Sequence, residues 1–324
     1  NGKVAVGPST SEETMVAGTV MNALDLALHS PWASSASLSD TSVYPAFSRT
    51  IGAVQDFVGD YVAFMEALDW TSAGILAIDD TWGRSTANYM DEKLQERGLI
   101  SHVEFFGSGD LAIGGDNQIE TQLQALKNTG VKVFIAAVFD EQVEEMMTIA
   151  HELELLEDGF VWIFLDGVTP DAGLSSAADP VTLRQRLQGV LRFTYSAPQN
   201  SFTRMAALFA SESTANYPEI TIPTDYFTNE PSVELMLGFD AAVNTIAAAS
   251  IVQASGGDLT SADAFQAAMV TLAYEGFSGP ILFNEGGDRK GFSTAMFSYK
   301  TDPTFEWSLV TITVNHTMST SISD

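Results

Sequence analysis

Ala73-Gly-Ile-Leu-Ala-Ile-Asp79, followed at once by Asp80-Thr-Trp-Gly-Arg84 and an amphipathic stretch from Ser85 to Gly98, reads as a buried strand running into a helix. The same unit recurs downstream. His102-Val-Glu-Phe-Phe106 is a second strand, and Asn117 to Thr129 a helix with Ile119, Leu123 and Leu126 on one face. Val131-Lys-Val-Phe-Ile-Ala-Ala-Val138 and Gly159-Phe-Val-Trp-Ile-Phe-Leu165 are further apolar strands, with a helix from Glu141 to Leu155 between them. Strands joined by helices of this length pair in parallel through right-handed crossovers. The expected fold is therefore a doubly wound α/β layer, whose ligands sit beyond the carboxyl ends of the strands.

Past Pro180 the rhythm changes. Gly189 to Tyr195 is strand-like, helices are expected near Ser201–Glu212, Val233–Ala254 and Ser261–Leu272, and a long Pro-containing loop runs from Asn216 to Pro231. The end is antiparallel in character: Pro280 to Asn284, a turn at Glu285-Gly-Gly-Asp288, then Ser293 to Lys300 and Phe305 to Val314. Three segments read as crossings between two lobes, near Phe47–Thr50, Tyr195–Pro198 and Tyr274–Ser278.

Composition narrows the function. The chain has 324 residues, 45% of them apolar, enough for two compact domains. No run of 18 uninterrupted apolar residues occurs, so no membrane-spanning helix is expected, and the first residues lack the pattern of a signal peptide. The 42 acidic against 14 basic residues give a formal net charge of −28. Such a chain makes a poor partner for nucleic acid and for anionic membrane surfaces. It contains no cysteine, which removes disulfides, thiolate metal sites and cysteine nucleophiles together. Asn315-His316-Thr317 fits the glycosylation sequon.

Near the start stand two hydroxyl clusters, Gly7-Pro8-Ser9-Thr10-Ser11 and Ala33-Ser34-Ser35-Ala36-Ser37. Each reads as a tight turn into a helix with a hydroxyl N-cap. A helix start offers unpaired N–H groups and a partial positive charge. Two of them side by side would form an anion pocket with no Lys or Arg.

Four segments together resemble the type I periplasmic-binding-protein family, which includes leucine/isoleucine/valine-type binding proteins and the Venus-flytrap ectodomains of metabotropic glutamate and GABA receptors. They are Ala33–Asp40 with Tyr44-Pro-Ala-Phe-Ser-Arg-Thr50; Asp79–Arg84; Val161-Trp-Ile-Phe-Leu-Asp-Gly167; and Gly279–Gly291. The resemblance implies two doubly wound parallel-sheet lobes joined by a three-strand hinge. Lobe 1 would take residues 1–50 and 196–275, and lobe 2 residues 51–195 with closing strands and a tail over 276–324. The family's chains begin earlier, so the resemblance also implies that the first part of lobe 1 is missing here and is supplied by another segment or a partner subunit.

The resemblance further implies a small amino-acid-like ligand. Ser11 and Ser34 match the positions that hold its carboxylate, with Thr10 and Ser35 as neighbours. Asp166 resembles the acid that meets the amine in glutamate-type receptors, and Glu234 the acid in GABA-type receptors. Trp82 matches an aromatic that stacks on the ligand. Asp140 falls where many relatives place a tyrosine facing the cleft. The bland readings are a turn for Asp166, helix-dipole stabilisation for Glu234 and packing for Trp82.

No phosphate loop, dinucleotide motif, zinc-protease motif or serine-hydrolase elbow is present, and His29, His102, His151 and His316 lack ligand spacing. The expectation is a non-enzymatic, extracellular or periplasmic ligand-binding domain that closes on its ligand, with no cofactor and no metal. It would signal to a membrane domain. The alternatives are a solute-binding protein feeding an amino-acid permease, and an assembly protein that kept the fold and lost the ligand.

Overall fold

A computed structural model describes residues 4–107, 118–169, 171–198, 200–215, 233–300, 306–314 and 317–319. The expected loop from Asn216 to Pro231 and the sequon residues Asn315 and His316 lie outside the described residues. In chain order the elements are β1 (Val4–Val6), α1 (Ser11–Ala23), β2 (Ala27–Ser30), a 3-10 turn (Ala36–Ser39), β3 (Phe47–Arg49), α2 (Val54–Ala67), β4 (Ser72–Ile78), α3 (Thr81–Glu96) and β5 (Ile100–Phe106). There follow α4 (Gln118–Asn128), β6 (Val133–Ala137), α5 (Asp140–Glu152), β7 (Val161–Phe164), α6 (Pro180–Arg186), β8 (Leu191–Ser196) and α7 (Ser201–Ala215). The last are α8 (Val233–Ala254), α9 (Ala262–Met269), β9 (Ala273–Glu275), β10 (Pro280–Phe283), β11 (Arg289–Lys290), β12 (Ser293–Lys300), β13 (Glu306–Val314) and β14 (Thr317–Ser319).

The chain divides into two α/β units: unit 1, Asn1–Ala53 with Ser196–Ser293, and unit 2, Val54–Tyr195 with Thr294–Asp324. One boundary departs from expectation. Residues 276–293 were assigned to the second lobe, with a crossing near Tyr274–Ser278, but they belong to unit 1. The reason is pairing. β10 lies antiparallel between β9 and β11, with Ile281 opposite Tyr274 and Phe283 opposite Arg289. The buried Arg289 donates to the Thr50 carbonyl and to the Ser278 hydroxyl, both at 2.8 Å. These bonds hold the segment on unit 1 until Ser293.

In unit 2, β5, β4, β6, β7 and β8 run parallel as adjacent strands, and β12, β13 and β14 continue the sheet. β4 and β6 are almost wholly buried, as strands covered by helices on both faces must be. The Asp79-Asp80 pair serves local structure. Asp80 caps α3 by accepting from the Gly83 N–H at 2.6 Å, and Asp79 pairs with Arg84.

Unit 1 has a parallel sheet in the order β1-β2-β3. Alternation along β2 builds two cores. Ala27 joins Val252, Phe265 and Met269 under α8 and α9. Leu28 joins Leu38, Tyr44 and Phe47 on the α1 side. Among the described helices α8 is long and apolar enough to cross a membrane by length and composition alone. It leaves Leu235, Ile246 and Ile251 exposed and buries one stripe, Met236, Leu237, Asp240, Ala241, Asn244, Ala248 and Val252. Two of these are polar and bonded. The Asp240 carboxylate accepts from the N–H groups of Phe277 (2.9 Å) and Ser278 (2.7 Å).

Asn244 completes a buried network around His29. The ring nitrogens of His29 lie 2.7 Å from Ser48 Oγ and 2.8 Å from Thr50 Oγ1. The Asn244 side-chain nitrogen is 3.3 Å from Nε2, and the Tyr274 hydroxyl donates to Asn244 Oδ1 at 2.6 Å. Burial holds the imidazole pKa down at about 3, from 6.5. The unfolded chain therefore binds an extra proton between those values. His29 leaves stability intact above about pH 6.5 and erodes it as pH falls toward 3. Urea midpoints measured from neutral pH to about pH 4 should fall less steeply in His29→Gln than in the wild type; equal slopes would contradict the assignment.

Candidate functional site

The two hydroxyl clusters meet. Parallel pairing of β1 with β2 brings the carboxyl ends of both strands side by side, with Val6 opposite His29. Three hydrogen bonds then stitch the turns that follow. Gly7 N–H donates to the His29 carbonyl at 2.9 Å. The Ser30 hydroxyl donates to the Pro8 carbonyl at 2.7 Å. The Ser35 N–H donates to Ser11 Oγ at 3.1 Å. Ser11, Ser34 and Ser35 are all buried, at 3%, 2% and 0% exposure.

Each serine has a local reason for its place. Ser11 is the first residue of α1, one past the cap. A hydroxyl that accepts from an amide keeps its own O–H for donation. Ser35 caps the 3-10 turn, accepting from Ser37 N–H at 3.4 Å. Thr10 is the N-cap of α1, and its exposed hydroxyl exchanges bonds with Glu13: it accepts from the Glu13 N–H at 3.4 Å and donates to the Glu13 carboxylate at 3.0 Å. Those bonds make it a capping residue.

Unit 2 carries a second set at the carboxyl edge of its own sheet. Trp82 follows β4, Asp140 follows β6 and Asp166 follows β7. Trp82 is buried, its ring 4.9 Å from that of Phe139 and tilted by 32°. Its far edge lies over Gly167, where a Cβ would stand 2.6 Å from the indole and 2.4 Å from the Val138 carbonyl oxygen. Glycine is required there by this close approach. Asp140 opens α5 and accepts from Thr169, at 2.9 Å from its N–H and 2.5 Å from its hydroxyl. Burial pushes the Asp140 carboxyl up from the usual range, and the Thr169 bonds partly offset this. Asp166 is buried at 5% exposure, just beyond β7.

Glu234 lies in the first turn of α8 in unit 1, six residues before the buried Asp240. Two residues that the sequence offered only inside longer motifs bear on the Ser34–Ser35 turn: Arg49, which donates to the Ala33 and Ser35 carbonyls, and Asp288, which pairs with Arg49. The signal that could have found them is a basic residue on a short buried strand in a chain so poor in cations. Among the described residues no group of His, Cys, Asp and Glu is placed to hold a metal ion.

Two α/β units through which the chain passes in alternation, with polar groups near strand carboxyl ends, are the frame in which doubly wound folds place their ligands. The chain belongs to the receptor family ligand-binding region, which matches residues 1–302. It is similar to the metabotropic glutamate receptor-like protein E of Dictyostelium discoideum, 23% identical over 292 residues, covering 88% of this chain and 33% of that protein. It is also similar to Arabidopsis thaliana glutamate receptor 2.3, 25% identical over 139 residues, covering 43% of this chain and 15% of that protein. Glutamate receptor 3.4 of the same plant is 24% identical over 201 residues, covering 62% of this chain and 20% of that protein. The chain thus spans a third or less of the length of these relatives.

The packing of Trp82 generates a direct expectation. Trp82→Ala should lower the unfolding free energy by about 3–5 kcal/mol, the usual cost of emptying such a site, as read from denaturant midpoints. A loss below about 1 kcal/mol would mean that the ring's chief role is not packing.

Proposed function

We propose that this chain is the part of a larger receptor that closes on a small amino-acid-like ligand, receiving its carboxylate at Ser11 and at the Ser34–Ser35 turn. The observation that carries the reading is the 3.1 Å bond from Ser35 N–H to Ser11 Oγ. It sets two hydroxyl turns at one point, beyond the ends of two parallel strands and at the start of α1. A carboxylate suits that point because hydroxyls and a helix start bind anions without a basic side chain.

The acidity of the chain supports the other half of the ligand. A net charge of −28 attracts an ammonium group. Asp166 and Asp140 are the acids at the strand ends of unit 2 that we assign to it, with Trp82 beside them, and Glu234 is the acid on unit 1. Binding shifts a closing equilibrium only as far as the ligand prefers the closed form. The greater length of the glutamate receptor relatives supports a setting in which a membrane domain or partner subunit reads that closure on the extracellular side. The role is binding, with no catalytic residue.

The test is a thermal-shift screen of amino acids against the wild type and the Ser11→Ala/Ser34→Ala double variant. A ligand at ~100 times its Kd adds about 2.7 kcal/mol of stability. The wild type should respond to at least one amino acid, and the double variant should not. An undiminished response in a folded double variant would place the carboxylate elsewhere.

A further inference from the structure

Arg49 makes more contacts than a three-residue strand requires. Its side chain is fully buried. Nη1 donates to the carbonyl oxygens of Ala33 (3.1 Å) and Ser35 (2.8 Å). Nε donates to the Asp288 carboxylate at 2.7 Å, Nη2 lies 2.6 Å from the same oxygen, and Nη2 also donates to Ser39 Oγ. The fork therefore runs through the interior of unit 1, from the turn between β10 and β11 to the second hydroxyl turn.

The Asp288 end is itself fixed. Asp288 N–H donates to Asn284 Oδ1 at 2.9 Å, and Asn284 N–H donates to the Asp288 carbonyl at 2.8 Å. Arg49 N–H donates to the Gly287 carbonyl at 3.1 Å. Gly287 has φ of 91°, and a Cβ there would stand 2.4 Å from the Phe47 carbonyl oxygen. Only glycine lets this turn seat on β3.

The consequence follows from peptide geometry. A trans peptide is planar, with its C=O and N–H pointing to opposite sides. Clamping the Ala33 carbonyl toward the guanidinium turns the Ser34 N–H to the far side. Clamping the Ser35 carbonyl fixes the next plane but one, and the Ser35 N–H between them meets Ser11 Oγ. A guanidinium suits this task because its donors form a rigid planar fork, whereas an ammonium cannot span two carbonyls and a carboxylate in one plane. The buried cation in turn requires its carboxylate partner.

We propose that Arg49 and Asp288 are positioning residues for the anion-receiving turn. Their buried ion pair sets the peptide planes at 33–35, and through them the Ser34 amide and the bond between Ser35 and Ser11. The functional part of this inference rests on the carboxylate reading above; the geometric part does not.

The experiment is residue-resolved amide hydrogen exchange on the whole chain, paired with L-glutamate titration, for the wild type, Arg49→Lys, Asp288→Asn and the double variant Arg49→Met/Asp288→Leu. The double variant replaces both charges by apolar groups, the change that buried ion pairs tolerate best. In folded variants the amides of Ser34 and Ser35 should exchange about tenfold faster or more, while those of α8 and of β4–β8 stay as in the wild type. Any L-glutamate affinity of the wild type should weaken by a similar factor. Unchanged exchange at Ser34 and Ser35 in any folded variant would overturn the proposal. A wild type that ignores millimolar L-glutamate while the variants lose local protection would count against L-glutamate as the ligand and leave the strut standing.

Discussion

One hydrogen bond, from the Ser35 amide to the Ser11 hydroxyl, depends on nearly everything else in unit 1. It exists because β1 and β2 pair in parallel, so that both turns leave the sheet on the same edge. It holds its length because Gly7, Pro8 and Ser30 bind the strand ends together beneath it. It has a fixed floor because β2 is packed on both faces, by α1 on one side and by α8 and α9 on the other. A polar contact of this kind contributes only about 1 kcal/mol on its own. Its value lies in fixing where two hydroxyls and an amide point.

The electrostatics follow an uncommon course for an anion site. The chain is strongly acidic, and the carboxylate site we propose draws on amides and hydroxyls. Arg49 is beside it, but its donors are committed to two carbonyls, a serine and Asp288. Positive potential comes from backbone amides and the start of α1. The basic side chain acts through geometry, holding the carbonyls of Ala33 and Ser35. In unit 2 the residues that follow the strands include the acids Asp140 and Asp166 and the ring of Trp82.

Much of this was legible in the sequence. Apolar strands alternating with amphipathic helices from Ala73 to Leu165 fix the parallel sheet, because only parallel pairing accommodates such spacing. The paired hydroxyl clusters are plain in the sequence, and the parallel pairing of β1 with β2 brings them together. Other features were hidden because they depend on partners far along the chain. Pro280–Phe283 reads as an antiparallel strand in either lobe, and only its pairing with β9 assigns it to unit 1. Arg49 and Asp288 are 239 residues apart, so no local pattern joins them. Nothing in the sequence near Trp82 shows that its ring lies against Phe139 and Gly167. Thr10 looks like Ser11 in sequence, and only the structure shows that its hydroxyl turns to Glu13 as the cap of α1.

The central claim is that a carboxylate is received where the two serine turns meet. The most direct measurement is the change in backbone amide chemical shifts when an amino acid that stabilises the chain is added, set against the amine that lacks only its α-carboxylate. The account requires large shifts at Ser11, Ser34 and Ser35 with the amino acid and little change there with the amine. Equal shifts at those three amides for both compounds, or shifts confined to other residues, would contradict it.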